Sequence, residues 1–218
     1  SAWLLYRVIL PRADHVFVQS EQMQRDFAAE GIPLARMTPV PMGVSPGLLA
    51  LPPLTPEPDT LLYLGTLTRV RRLDMLLDAL QLLHRDYPQA RLILVGEGDM
   101  PGDRIALEHA AQARGLAAVV EFTGQLPMAE ALLRVRRAAV CLSPFYPTPI
   151  LNSTSPTKLV EYLALGRPVV GNRHPEQSRI LADSGAGLCV DWSAAAFARA
   201  CSRLLADPAA AEAMGRRG

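Results

Sequence analysis

The sequence is short of the features that usually settle a protein's class. Its cysteines are three, Cys141, Cys189 and Cys201, far apart and with no CxxC pair. An odd, scattered set excludes a disulfide framework and a zinc ribbon, and it fits a reducing compartment. No apolar run approaches the ~20 residues of a membrane-spanning helix. Neither sign of charge dominates: 22 Lys and Arg stand against 21 Asp and Glu, a net charge of +1. No overall field is therefore available to hold nucleic acid or an anionic membrane. The four histidines, His15, His84, His109 and His174, lack metal-ligand spacing and read as surface or structural groups. A DxD carboxylate pair is missing, as are GxxxxGK[ST] and GxSxG. Gly96-Glu97-Gly98 follows a strand-like run, but the dinucleotide fingerprint needs glycine where Pro101 stands.

What is present is a globular chain. It has 218 residues, 50% hydrophobic and 20% charged, enough for one large domain, or one domain and a piece of another. It begins with Ser1, runs at once into the apolar Trp3–Leu10 and stops inside a helical pattern at Met214–Gly218. Trp3–Leu10 has neither the length nor the cleavage site of a signal peptide. The expectation is an excised part of a longer protein.

Apolar runs of strand length recur at His15–Ser20, Thr60–Thr66, Ala90–Gly98, Val119–Leu126, Ala138–Phe145, Arg167–Asn172 and Ala186–Asp191. They are continuous rather than alternating, as in strands covered on both faces. Helical periodicity lies between them. Leu73, Leu76, Leu77, Leu80 and Leu83 share a face, and Gly102–Gly115, Met128–Arg137, Pro156–Leu165 and Ala194–Ala206 read as further helices. This alternation predicts an α/β fold with a doubly wound, Rossmann-like parallel sheet. The Pro-rich stretch Leu48–Asp59 marks a linker, with a boundary near Val44–Leu54. Residues 1–44 are expected to be the last α/β unit of a preceding domain, with a helix at Glu21–Gly31. Residues 45–218 are expected to be one domain, truncated at its end.

Two stretches carry chemistry. In Ser155–Asn172 (SPTKLVEYLALGRPVVGN), Ser155 is placed to cap a helix with Pro156 at its first position. A helix N-terminus with Lys158 in its first turn, and with the small residues Ser153, Thr154, Ser155 and Thr157 about it, suits a phosphate. Glu161 lies one turn deeper. It either accepts hydrogen bonds from a ribose diol or pairs with Lys158 across i, i+3. In Tyr63–Leu80 (YLGTLTRVRRLDMLLDAL), Gly65 ends a strand, and Thr66, Arg69, Arg71 and Arg72 gather where the next helix starts. Cations there oppose the helix dipole, a local conflict that a bound diphosphate would relieve. The plainer reading is a set of solvated arginines. For the basic run Arg134, Arg136 and Arg137, a solvated helix face is preferred.

Together these stretches resemble the nucleotide-sugar-binding half of GT-B glycosyltransferases, specifically the retaining family 4, or group 1. The likeness runs in order along nearly the whole chain. VFVQSEQMQRDFAAEGI and PVPMGV are similar to the end of the acceptor domain and the hinge, and YLGTLTRVRRLDMLLDAL to the diphosphate motif. LILVGEGD is similar to the GxG turn, VEFTGQL to the strand beside the base, KLVEYLALGRPVV to the most specific motif, and LLADPAAAEAMGRRG to the tail.

The resemblance implies roles. Arg71 matches the second position of a basic pair that holds the pyrophosphate; Thr66 stands at the first, a departure. Glu161 matches the carboxylate that binds the ribose hydroxyls. The sugar-contacting glutamate eight residues earlier is here Ser153, and Thr154-Ser155-Pro156 replaces Gly-Phe-Gly. Base contacts map to the backbone of Gly96, Glu97 and Gly98 and of Gly124, Gln125 and Leu126. Arg71 and Lys158 would stabilise charge on the departing diphosphate. The implied donor is a nucleoside diphosphate sugar; no cofactor or metal is expected, and the acceptor stays open. Alternatives are a nucleotide- or carbohydrate-binding module without chemistry, and an epimerase on the same fold. The resemblance also implies a cytoplasmic enzyme of polysaccharide or glycolipid synthesis, with peripheral association at the inner membrane face through the absent N-terminal domain. The fragment alone is expected to be inactive.

Overall fold

The computed structural model describes residues 2–218. The chain opens on α1 (Ala2–Leu4), continued by a π turn at Leu5–Ile9 and a 3-10 turn at Leu10–Arg12. A small parallel sheet follows, β1 (Val16–Val18) against β2 (Met37–Pro39), with α2 (Glu21–Ala29) between them. The Ser20 hydroxyl caps α2 by accepting the Met23 N–H at 3.0 Å. Leu10, Val18, Ile32 and Met37 give this unit a core of its own. Its strand β2 was not expected, because MTP is too short and too polar to read as an apolar run.

After α3 (Pro46–Leu49) the chain builds a six-stranded sheet from β3 (Glu57–Leu64), β4 (Arg91–Val95), β5 (Val120–Gly124), β6 (Ala138–Ser143), β7 (Val169–Asn172) and β8 (Gly187–Val190). Its order is β5-β4-β3-β6-β7-β8, and every pairing is parallel. The intervening helices are α4 (Asp74–Leu83), α5 (Asp103–Ala113), α6 (Met128–Arg137), the short α7 (Pro149–Asn152), α8 (Thr157–Ala164), α9 (Pro175–Ser184), α10 (Ala194–Ala206) and α11 (Pro208–Gly215).

Alternate side chains of each strand feed opposite faces. Leu61 and Tyr63 of β3 join Leu76, Leu80, Phe197 and Leu204 in one core layer. Leu62 and Leu64 join Val135, Cys141, Leu159 and Tyr162 in the other. Both faces are covered, which is why the strand runs are continuously apolar. The expected doubly wound α/β fold is present.

Three local expectations need correction. Helix α8 begins at Thr157, so Pro156 occupies the cap position and Ser155 does not cap it; the Ser155 hydroxyl instead accepts the Met42 N–H at 3.3 Å. The end of the Pro-rich stretch belongs to the sheet, because β3 starts at Glu57 with a register shift between Glu57 and Leu61 and Asp59 at φ 55°. Helix α9 was not anticipated, because its buried face includes the polar Glu176 and Gln177 beside Leu181 and so lacks an apolar stripe. The cysteines are all free thiols; burial pushes Cys201 up to about 12 and Cys141 higher still.

Candidate functional site

From β3 the chain winds outward through β4 to β5, then returns to the other side of β3 and winds outward through β7 to β8. The connections on either side of the β3/β6 pair therefore diverge, leaving a crevice at the carboxyl ends of these two strands, the usual ligand position in such sheets. A cleft of about 270 Å³ lies there, between Gly65 and Thr66 beyond β3, Ser143–Phe145 at the end of β6, and Lys158 on α8. A larger hollow of about 560 Å³, around Pro56, Arg167 and Pro208, opens at the opposite, amino end of the sheet.

On the β3 side, a 3-10 turn over Arg69–Arg71 separates the arginines from α4, which starts only at Asp74. The conflict with the helix dipole inferred from the sequence is thus relieved by geometry, and two of the three cations are already engaged. Arg69 lies 3.4 Å from Asp103, and Arg72 3.3 Å from Asp74. Only Arg71 of the three lines the cleft, and its Nε donates to the Thr66 hydroxyl at 2.9 Å. The buried Tyr63 hydroxyl donates to the Thr66 carbonyl at 3.0 Å. Burial raises its pKa, and the nearby Arg71 guanidinium pulls it back.

On the β6 side, Thr154, Ser155, Thr157 and Lys158 line the cleft. The Lys158 ammonium donates to both oxygens of Glu161, at 3.0 and 2.8 Å. The i, i+3 pairing left open by the sequence is therefore made, and Glu161 sits outside the cleft lining. Tyr162 ties the two sides together: its hydroxyl accepts the Leu64 N–H at 2.8 Å, and burial raises its pKa well above the ordinary value. That bond fixes α8 to the end of β3.

A family model described as glycosyl transferases group 1 matches residues 58–207, well over half of the chain. The chain belongs to the group 1 glycosyltransferases. Among solved structures, Anabaena HepE with UDP and glucose is similar over the whole of this chain and 61% of its own, at TM-score 0.79 and 16% identity. Sucrose-phosphate synthase of Thermosynechococcus elongatus is similar over 98% of this chain and 54% of its own, at TM-score 0.76 and 27% identity. WaaG, a glycosyltransferase involved in lipopolysaccharide biosynthesis, is similar over 92% and 56%, at TM-score 0.77 and 17% identity. The chain therefore spans between half and two thirds of these proteins. No curated protein matches it by sequence.

In this group 1 transferase chain, the stretches expected beside the base are brought together next to the cleft rather than in it. Gly96 donates its N–H to the Gly124 carbonyl at 3.0 Å, Gly65 to Val95 at 3.0 Å, and Leu67 to Glu97 at 2.9 Å. Gly96 has φ 137°, and a Cβ there would sit 2.0 Å from the Gly65 carbonyl oxygen, so only glycine fits. The Glu97 carboxylate turns to the Gly98 N–H at 3.2 Å and to Arg104 at 3.0 Å. Exposed Gln125 and half-buried Leu126 continue from Gly124.

Ser153 also lies outside the cleft lining. Its hydroxyl contacts the Asp26 carboxylate on α2, and its carbonyl accepts the Ser20 hydroxyl at 2.8 Å. Behind it, buried His174 caps α9 through Nδ1, which accepts the Gln177 N–H at 3.3 Å, and Nε2 meets the Leu151 carbonyl at 3.0 Å. Burial lowers the His174 pKa, partly offset by that carbonyl. Burial raises Glu176, with Ser155 and Arg179 pulling it down and Glu21 pushing it up; its Oε2 is buried and unpartnered. Among the described residues no cluster of potential metal ligands occurs, and no helix is long and apolar enough to cross a membrane.

The cleft thus gathers Gly65, Thr66, Arg71, Thr154, Ser155, Thr157 and Lys158 of the residues singled out from sequence. Sequence reasoning passed over Tyr63, Tyr162 and Asp26. A buried tyrosine needs a partner for its hydroxyl, so a tyrosine in each of two otherwise apolar core segments was the available signal. Asp26 had none.

Proposed function

We propose that the chain is the donor-binding half of a retaining, family 4 glycosyltransferase, which moves a sugar from a nucleoside diphosphate sugar to an acceptor. The observation that carries this reading is the cleft at the sheet reversal, where Arg71 faces Lys158 and the first turn of α8. Solved complexes of the fold neighbour HepE with UDP and with UDP-glucose support it. The diphosphate lies between Arg71 and the α8 amides. Lys158 turns from Glu161 to its oxygens, which frees the Glu161 carboxylate for the ribose hydroxyls. As the bond to the anomeric carbon breaks, negative charge grows on the departing diphosphate, and Arg71, Lys158 and the α8 dipole lower its energy.

Calorimetry with UDP, GDP and ADP tests the reading. At least one is expected to bind at micromolar to millimolar concentration, and Arg71→Ala to weaken it by about 10–100-fold, the worth of one or two charge-assisted hydrogen bonds. If none binds, the donor-site reading fails. The engagement of Ser153 by Asp26 favours a second reading, a nucleotide-binding module without chemistry. Donor hydrolysis or transfer by the full-length protein excludes that reading.

A further inference from the structure

Three groups of the first α/β unit converge on one loop of the cleft. The Ser20 hydroxyl donates to the Ser153 carbonyl at 2.8 Å, the Asp26 carboxylate meets the Ser153 hydroxyl, and the Met42 N–H reaches the Ser155 hydroxyl at 3.3 Å. The partners are more than a hundred residues apart in sequence, so no local turn explains these bonds. Neighbouring residues of the loop, Leu151, Thr154 and Ser155, line the cleft, whereas Ser153 does not. The first unit therefore grips the loop from behind.

The geometry points to Asp26 as a positioning residue that holds this loop in its ligand-binding shape, an inference that rests on the donor-site reading for its effect on affinity. Both oxygens of Asp26 are committed: Oδ1 accepts Gln22 Nε2 at 2.8 Å, and Oδ2 faces Ser153. The carboxylate is thus aimed rather than free to swing. The Ser153 hydroxyl has one proton and two acceptors in reach, the Asp26 carboxylate and the Pro149 carbonyl at 3.0 Å. The charged acceptor takes it. Without Asp26, the proton goes to Pro149, an acceptor within the loop itself. The loop then satisfies its own hydroxyl and is left with only the Ser20 and Met42 bonds to the first unit, a looser hold. The cost falls on Thr154 and Ser155, which line the cleft just ahead of α8 and shape its diphosphate side.

The test is a double-mutant cycle on the whole chain, read by two independent measurements. Asp26→Ala and Ser153→Ala should each weaken UDP, GDP or ADP binding by about 10-fold, and the double variant by no more than either alone. Asp26→Asn, whose amide oxygen still accepts, should recover most of the loss. Amide hydrogen exchange across residues 148–156 should quicken in Asp26→Ala while the six-stranded core stays protected. Unchanged affinity in Asp26→Ala, or full additivity of the two substitutions, overturns the inference. If wild-type chain binds no nucleoside diphosphate, the proposed function falls by itself. Exchange then decides the hold on the loop, and unchanged protection of residues 148–156 in Asp26→Ala refutes it.

Discussion

Thr66 stands where the family resemblance led us to expect a cation, and its hydroxyl instead receives the Arg71 Nε. The residue thus orients the neighbouring guanidinium rather than adding a charge. Replacing Thr66 with valine removes the acceptor at nearly constant shape and should weaken diphosphate binding several-fold in calorimetry, while serine should preserve it. Equal affinities for the valine variant and wild type would refute that role. His174 and Glu176 give opposite pH signatures. His174 is held neutral in the fold, so stability is present above its ordinary 6.5 and is lost as pH falls through the lower folded value. Glu176 is raised, so stability is full below its ordinary 4.5 and declines as pH rises through the folded value. Thermal melting across pH 4–8 should therefore show Glu176→Gln gaining on wild type as pH rises, and parallel curves would contradict it. These buried polar groups were not legible in sequence, because nothing local distinguishes a buried Glu after a proline from a solvated one.

At the level of elements, the sequence was most informative where periodicity and position agreed. The seven strands expected from apolar runs are all present; the signature is clearest in the central strands β3, β4, β6 and β7, which are buried on both faces, whereas β1, β5 and β8 are partly exposed. The cap of α8 shifted by one residue because tertiary contacts drew the Ser155 hydroxyl elsewhere. Strand β2 and helix α9 went unread because each has little apolar surface of its own. The cleft's two cationic sides were legible as motifs; their coupling through Tyr162 was not, since Leu64 and Tyr162 are 98 residues apart. Tyr162→Phe leaves the buried Leu64 N–H without its partner. It should cost about 1–3 kcal/mol in denaturant unfolding and loosen α8 against β3. A variant as stable as wild type would show that this bond contributes nothing.

For the whole molecule, near-zero net charge conceals a local arrangement. Of the cations near the cleft, Arg69, Arg72 and Lys158 are neutralised by acids, and Arg71 alone is held by a neutral hydroxyl. Binding should consequently weaken only modestly with salt, as expected of one or two charges rather than a broad field. The first unit, with its own two-stranded sheet, meets the loop at 149–155 and, among the described residues, contributes none to the cleft lining. The chain by itself is therefore expected to bind a nucleotide and release no sugar to an acceptor. Turnover of a nucleotide sugar by the purified chain, assayed with a broad acceptor panel, would contradict that expectation.

The main-chain bonds that lace the ends of β3, β4 and β5 have a practical consequence. They join Gly65, Gly96 and Gly124 into a shelf whose polar groups belong to the backbone. Side-chain substitution cannot remove those groups, and alanine at position 96 would break the shelf rather than probe it, because a Cβ there meets the Gly65 carbonyl. The shelf can instead carry a sensor. A fluorophore attached at exposed position 125 would sit at its edge without breaking any of its bonds, and would report occupancy of the neighbouring crevice by a change in emission.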